Sequence, residues 1–303
     1  KSDLMKALKM EVDWIALSFV QQLDDIIKLK DLVNSKALIM AKIEKPSAVK
    51  NIDQIIEASD GIMIARGDLG VEMHAEKIPI VQKNIIKRCR IFGKPVVVAT
   101  QMLESMITNL VPSRAEASDV ANAIYDGTDA VMLSGESAIG DYPVESITTM
   151  NSIIENVEKD KNNFNLEFED QELSKKIDNT DAITNAAYSI AKNAGAKAII
   201  TFSVSGKTTI RMAKERAPVQ IIGLSPSIKT ARKMQMLWGV NSCHSEDSAN
   251  ATEMVKIACT IAKNKQLVNA DDKVIITAGV PFGNAGSTNL LRIAKIISKE
   301  NLT

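Results

Sequence analysis

The sequence predicts an α/β protein in two parts, a series of parallel βα units followed by an open, layered α/β domain. Three observations carry this. Short apolar runs of strand length recur through the first half, and segments with apolar residues at helical spacing lie between them. In two of the runs charge comes only at the C-terminal end. A polar stretch near the middle then separates this rhythm from a second one of the same kind. At 303 residues the chain is long enough for a large core and two domains.

The strand-like runs of the first half are 12–19, 37–43, 61–65, 95–99 and 129–133. Helical patterns separate most of them, as where Val81, Ile85 and Cys89 follow one another at four-residue spacing. Gly93-Lys94-Pro95 and Asp126-Gly127-Thr128 mark the points where a helix ends and the chain turns into a sheet. A helix from Pro143 to about Val157 leads into the polar stretch 158–180, which has the composition of a linker. The domains therefore read as 1–158 and 159–303, with 159–180 as the linker region. Beyond it, Ile183, Ala187 and Ile190 form an apolar stripe, and 196–202 reads as a buried strand. A helix from about Thr208, a strand at 219–224, helices near 230–236 and 252–263, a strand at 274–278 and a last strand at 289–293 complete the second domain.

Composition narrows the function. Lysine plus arginine and aspartate plus glutamate both number 37, so no global field favours nucleic acid or an anionic membrane, and any anion site is local. Cys89, Cys243 and Cys259 have no CxxC spacing and cannot all pair, which suits a reducing cytoplasm. The long uncharged stretch 274–291 is interrupted by Gly279, Pro281, Gly283, Asn284 and Gly286, which argues against a membrane-spanning helix, and no signal peptide is visible. The chain opens at Lys1 without an initiator methionine and reads as a piece of something longer.

Two segments carry chemistry. Leu38-Ile39-Met40-Ala41-Lys42-Ile43-Glu44 and Gly61-Ile62-Met63-Ile64-Ala65-Arg66-Gly67-Asp68 each deliver charge only at the C-terminal end of an apolar run, where parallel α/β proteins place their sites. Glu44 and Asp68 are hard oxygen ligands, few enough to leave a Mg²⁺ ion's other positions to substrate and water. Lys42 alternates with Glu44, so both side chains can serve one negatively charged substrate. Solvated loop charges are the plainer alternative for either segment alone.

These segments, together with Ala99-Thr100-Gln101-Met102-Leu103-Glu104-Ser105-Met106, Ser113-Arg114-Ala115-Glu116-Ala117-Ser118-Asp119-Val120-Ala121-Asn122 and Met132-Leu133-Ser134-Gly135-Glu136-Ser137, closely resemble the pyruvate kinase family through nearly the whole chain. The resemblance implies a partial (β/α)8 TIM barrel, its last five βα units, followed by the family's C-terminal α/β domain. It implies Mg²⁺-dependent phosphoryl transfer from phosphoenolpyruvate to ADP, giving pyruvate and ATP. Glu44 and Asp68 would hold Mg²⁺ or Mn²⁺. Lys42 would stabilise the phosphoryl group in flight, and the backbone around Gly67 and Asp68 would meet the substrate carboxylate. The Thr100 hydroxyl would orient the proton donor, and Ser18 would line the pocket.

The family's K⁺ ligands, phosphate-gripping arginine and most of its lid belong upstream of this chain, so these residues alone are expected to be inactive. A homotetramer in the cytoplasm is the family's usual form. An open five-stranded edge also makes the first half a poor independent domain. Two other readings stand beside this one: a metal-dependent lyase of the related phosphoenolpyruvate/pyruvate barrels, and a non-catalytic phosphate-binding protein.

Of the remaining rim charges, Arg66 and Glu136 each read as either an ion-pair member or a support for its neighbours, not as a group that does chemistry, while Arg114, Glu116 and Asp119 share one helix at spacings that fit internal pairing or subunit contact. His74 and His244 read as surface residues. Ser205-Gly206-Lys207-Thr208 follows a strand and opens a helix, but Thr201 stands where a P-loop needs glycine. By resemblance it is the loop that grips a phosphorylated allosteric effector, with Lys207 where arginine is usual, and residues 279–289 would close over it. Lysine supplies a point charge without the bidentate fork.

Overall fold

The computed structural model describes residues 1–160, 178–248, 250–281 and 288–296. The chain divides into two compact units, Lys1–Asn165 and Leu166–Thr303. In the first, α1 (Ser2–Lys9) precedes β1 (Trp14–Leu17), α2 (Leu23–Val33), β2 (Leu38–Ile43), α3 (Pro46–Lys50), α4 (Ile52–Ala58) and β3 (Gly61–Ala65). There follow α5 (Arg66–Glu72), α6 (Ile78–Phe92), β4 (Val96–Ala99), α7 (Arg114–Tyr125), β5 (Ala130–Met132), α8 (Gly135–Ala138) and α9 (Pro143–Lys159).

The five strands form one sheet in sequence order, β1-β2-β3-β4-β5, and every neighbouring pair is parallel. Each strand therefore steps to the next through helical chain, the arrangement that gives near-continuous apolar strands. All of β3 and β4 is buried. Ile39, Ile62, Ile64, Val96 and Val98 pack with Ile26, Ile55, Ile85, Ile86 and Cys89 from the helices as one core. Local sequence fixes the helix ends. Proline stands in the first turn of α6, and Gly93 closes it at φ +64°. Ser113 and Glu116 form a reciprocal cap at the start of α7.

The first strand is shorter than its apolar run. Residues 18 and 19 leave the sheet because Phe19 turns to φ +57°, which ends the extended conformation.

The second unit holds α10 (Asn179–Ala194), β6 (Ala198–Phe202), α11 (Lys207–Lys214), β7 (Gln220–Ser225), α12 (Ile228–Met234), β8 (Val240–His244), α13 (Ala251–Asn264), β9 (Lys273–Ala278) and β10 (Leu290–Lys295). Its sheet runs β10-β9-β6-β7-β8, parallel except for the antiparallel outer strand β10. The chain leaves β6 toward β7 and β8, then returns through α13 to β9 on the other flank of β6. The gap between β6 and β9 is thus the point where strand order reverses. Sequence reasoning missed β8: Val240-Asn241-Ser242-Cys243-His244 is too polar to read as a strand, and it is recruited by pairing along β7.

Residues 161–177 of the expected linker and residues 282–287 of the loop after β9 lie outside the described residues. Among the described residues, no helix is long and apolar enough to cross a membrane.

Candidate active site

The carboxyl end of the first sheet gathers the predicted residues strand by strand. Lys42 lies on β2, and Glu44 follows it directly. Glu44 is buried at 1% exposure, with Oε1 paired to Lys42 Nζ and Oε2 accepting the Phe19 backbone N–H at 2.7 Å. Lys42 Nζ also donates to Ser18 Oγ at 3.0 Å. Ser18, Lys42 and Glu44 are therefore one hydrogen-bonded group spanning the ends of β1 and β2. The left-handed turn at Phe19 that ends β1 is also what aims its amide at the buried carboxylate.

At the next strand end, β3 runs straight into α5. The last register pair between β2 and β3 is Ile43 with Ile64, so Glu44 leaves its strand beside Ala65, three residues before Asp68. Asp68 is exposed in the first turn of α5, where the helix dipole favours a negative charge. Gly67 donates its N–H to Thr100 Oγ1 at 2.8 Å, and that hydroxyl donates to the Ala99 carbonyl at 2.6 Å. A Cβ on Gly67 would stand 3.3 Å from Thr100 Oγ1, so this close approach of backbone to hydroxyl favours glycine. Thr100 and Gln101 both adopt left-handed conformations, at φ +69° and +53°.

Arg66 is buried behind this corner. Its Nη2 donates to the Thr100 and Gln101 carbonyls at 3.1 Å each, and its Nη1 donates to Asp119 at 2.7 Å. Glu136, expected in an ion pair or as a support for its neighbours, takes the second role: it accepts the N–H groups of Leu103 at 3.1 Å and Ser134 at 2.8 Å. Burial at 2% exposure explains the choice, because backbone donors of its own turn and the neighbouring loop are in reach. Glu116 receives the Ser105 and Ser113 backbone amides and both their hydroxyls. Burial works against its charge, but these hydrogen bonds outweigh it and hold the carboxyl below its ordinary value.

Three participants escaped sequence reasoning: the Phe19 amide, the Gln101 carbonyl and Asp119 as the partner of Arg66. No local signal could have found them, since Arg66 and Asp119 are 53 residues apart and Phe19 and Glu44 are 25 apart.

In the second unit, Gly206 opens α11 at φ +83°, with Ser205 and Lys207 exposed beside it. Thr208 is buried, and its hydroxyl shares a 2.6 Å hydrogen bond with that of Thr288. Thr201, in the position that departs from a P-loop, bonds Thr209 at 2.7 Å inside the unit.

The fold and this rim define a class: parallel α/β proteins that mount carboxylates and a lysine at the carboxyl ends of their strands, with a second α/β unit following. Comparison with known proteins supplies the family. A family model described as "Pyruvate kinase, barrel domain" matches residues 1–147, and one described as "Pyruvate kinase, alpha/beta domain" matches residues 181–294. A pyruvate kinase of Methylorubrum extorquens is 49% identical over 294 residues, covering 97% of this chain and 61% of the relative. One from Agrobacterium vitis is 44% identical over 302 residues, covering 100% and 62%, and one from Geobacillus stearothermophilus is 44% identical over 297 residues, covering 97% and 50%. The chain belongs to the pyruvate kinase family. It spans between half and two thirds of the length of these curated relatives.

Proposed function

We propose that the whole protein transfers a phosphoryl group from phosphoenolpyruvate to ADP, giving pyruvate and ATP, with residues 1–158 in the catalytic part and 159–303 forming the effector part. The observation that carries this reading is the Ser18–Lys42–Glu44 group, a lysine held by a buried carboxylate at the carboxyl rim of the parallel sheet. Phosphoryl transfer asks a protein mainly for positioning and for cations aimed at the moving charge. Lys42 is such a cation, and its two partners fix where its ammonium stands.

The donor set fits Mg²⁺ or Mn²⁺. Glu44 and Asp68 are hard oxygen donors at the ends of the adjacent strands β2 and β3. Two carboxylates leave most positions to substrate and water, as Mg²⁺ prefers. Bound there, the ion would supply charge neutralisation on the substrate oxygens. The Thr100 hydroxyl, held against the Gly67 N–H, would orient a proton donor beside the substrate.

K⁺ dependence, a homotetrameric assembly and a cytoplasmic location belong to the same reading. So does a phosphorylated effector at residues 205–208. That loop follows β6 at the strand-order reversal, the customary place for a ligand in an open α/β sheet, and it opens onto a helix N-terminus.

The test is Mn²⁺ binding by the whole protein, followed by paramagnetic water relaxation. Glu44→Ala and Asp68→Ala should each weaken it by about tenfold or more, because each removes one of few protein ligands. Unchanged affinity in both variants would reject the shared cation site.

A further inference from the structure

We propose that Arg66 is the positioning residue of this site: its guanidinium holds the Thr100–Gln101 corner in the left-handed conformation and so sets the Thr100 hydroxyl against the Gly67 amide. The inference rests on the reading of the rim as a phosphoryl-transfer site, and it assigns a role to a side chain buried behind that rim.

Thr100 and Gln101 follow one another at φ +69° and +53°, where non-glycine residues are uncommon and a β-branched one is an outlier. Such a conformation persists only when its surroundings over-determine it. Here one side chain holds both corner carbonyls. Arg66 Nη2 meets both corner carbonyls at 3.1 Å, and Nη1 is anchored to Asp119 at 2.7 Å and reaches Gln82 Oε1 at 3.5 Å. A planar fork can serve acceptors on both nitrogens at once, and an ammonium in its place cannot keep that geometry. Arg66 is 8% exposed, so its charge is committed to these partners.

The second grip comes from the adjacent residue. Arg66 and Gly67 share the first turn of α5, so the side chain of one and the N–H of the next close on the same corner from one rigid element. A corner that relaxes toward ordinary backbone angles would carry Thr100 Oγ1 away from Gly67. Misplacement on the ångström scale is enough to cost catalysis heavily.

The experiment uses the whole protein and four variants: Arg66→Lys, Thr100→Val, their double, and Arg66→Lys combined with Gln101→Gly. Arg66→Lys should lower kcat by about tenfold or more, with KM for the phosphoryl donor within about threefold, since the loss is in the transition state. Adding Arg66→Lys to Thr100→Val should slow the enzyme by no more than about twofold further, because both act through one hydroxyl. Glycine at 101 adopts φ +53° without steric cost, so Arg66→Lys/Gln101→Gly should recover about fivefold of the lost rate.

Multiplicative losses in the first double, or no recovery in the second, would overturn the proposal. So would failure of both Arg66 variants to fold, which would make Arg66 a requirement of the fold. If the parent protein lacks phosphoryl transfer, the functional reading fails by itself, and the corner is then read by amide exchange. Gly67 exchange should quicken about tenfold in Arg66→Lys and return toward the parent in the glycine double. Unchanged exchange would again overturn the proposal.

Discussion

The carboxyl ends of the two sheets occupy the same place in their folds and carry opposite chemistry. At the first, charged side chains gather: a buried glutamate, a lysine bonded to it and an exposed aspartate at a helix start. At the second, Gly206 opens α11 beside the exposed Ser205 and Lys207. A rim of carboxylates and lysine can hold a cation and an anion together, whereas a glycine-opened helix start with one lysine suits an anion alone. Parallel topology thus decides where a site lies, and the residues in the turn after each strand decide what it takes.

Removing Lys42 from the first rim and Lys207 from the second should separate them most sharply. Lys42→Met should reduce phosphoryl transfer by about 10²-fold or more, by analogy with loss of a preorganised charge-stabilising group. Pyruvate enolisation, followed as proton exchange with solvent, should survive in part, and loss of Mn²⁺ binding in this variant would show the role to be misassigned. Lys207→Ala should instead abolish activation by a sugar phosphate or AMP and leave unactivated turnover nearly intact. Allosteric coupling of this kind is worth about 5–150-fold in affinity, and an activation curve superimposable on the parent's would sink the proposed effector site.

Backbone changes should fall on the second unit. Gly206→Ala places a Cβ 3.3 Å from Met234 Cγ at φ +83°, and should lower the unit's stability by about 1–2 kcal/mol. Gly195→Ala, at φ +66° with open space around it, should cost only the conformational part, about 1 kcal/mol. Urea midpoints measure both, and equal costs would mean that contact with Met234 is irrelevant.

The smallest difference lies in acid. Arg211 and the Asp181 and Thr180 amides hold Asp178 below its ordinary pKa at the start of α10, as the serine hydrogen bonds hold Glu116 at α7. Depressed carboxyl pKa values contribute stability above the unfolded pKa, and that contribution is lost as pH falls through the folded pKa. Glu116→Gln and Asp178→Asn should each remove a fraction of one proton from the uptake that accompanies acid unfolding, below about pH 4. A titration of unfolding free energy against pH that keeps its slope in either variant would contradict the assignment.

The apolar runs that became β2 to β5, the glycine that stops α6 and the carriage of Lys42, Glu44 and Asp68 on strand ends were all legible in sequence. Those features depend on residues within a few positions of one another, through side-chain alternation, conformational preference and turn chemistry. Length and two matching rhythms likewise made two α/β parts legible. The left-handed corner at Thr100 and Gln101, the 53-residue reach from Arg66 to Asp119 and the capture of the Phe19 amide by Glu44 were not. Nor was β8, which is too polar to announce itself, or the reversal of strand order at β6. Each of these is fixed by which strands become neighbours and in what register. Local sequence sets the elements, but only packing the sheets brings distant donors and acceptors to hydrogen-bonding distance, and that step decides which charges pair and which remain available for chemistry.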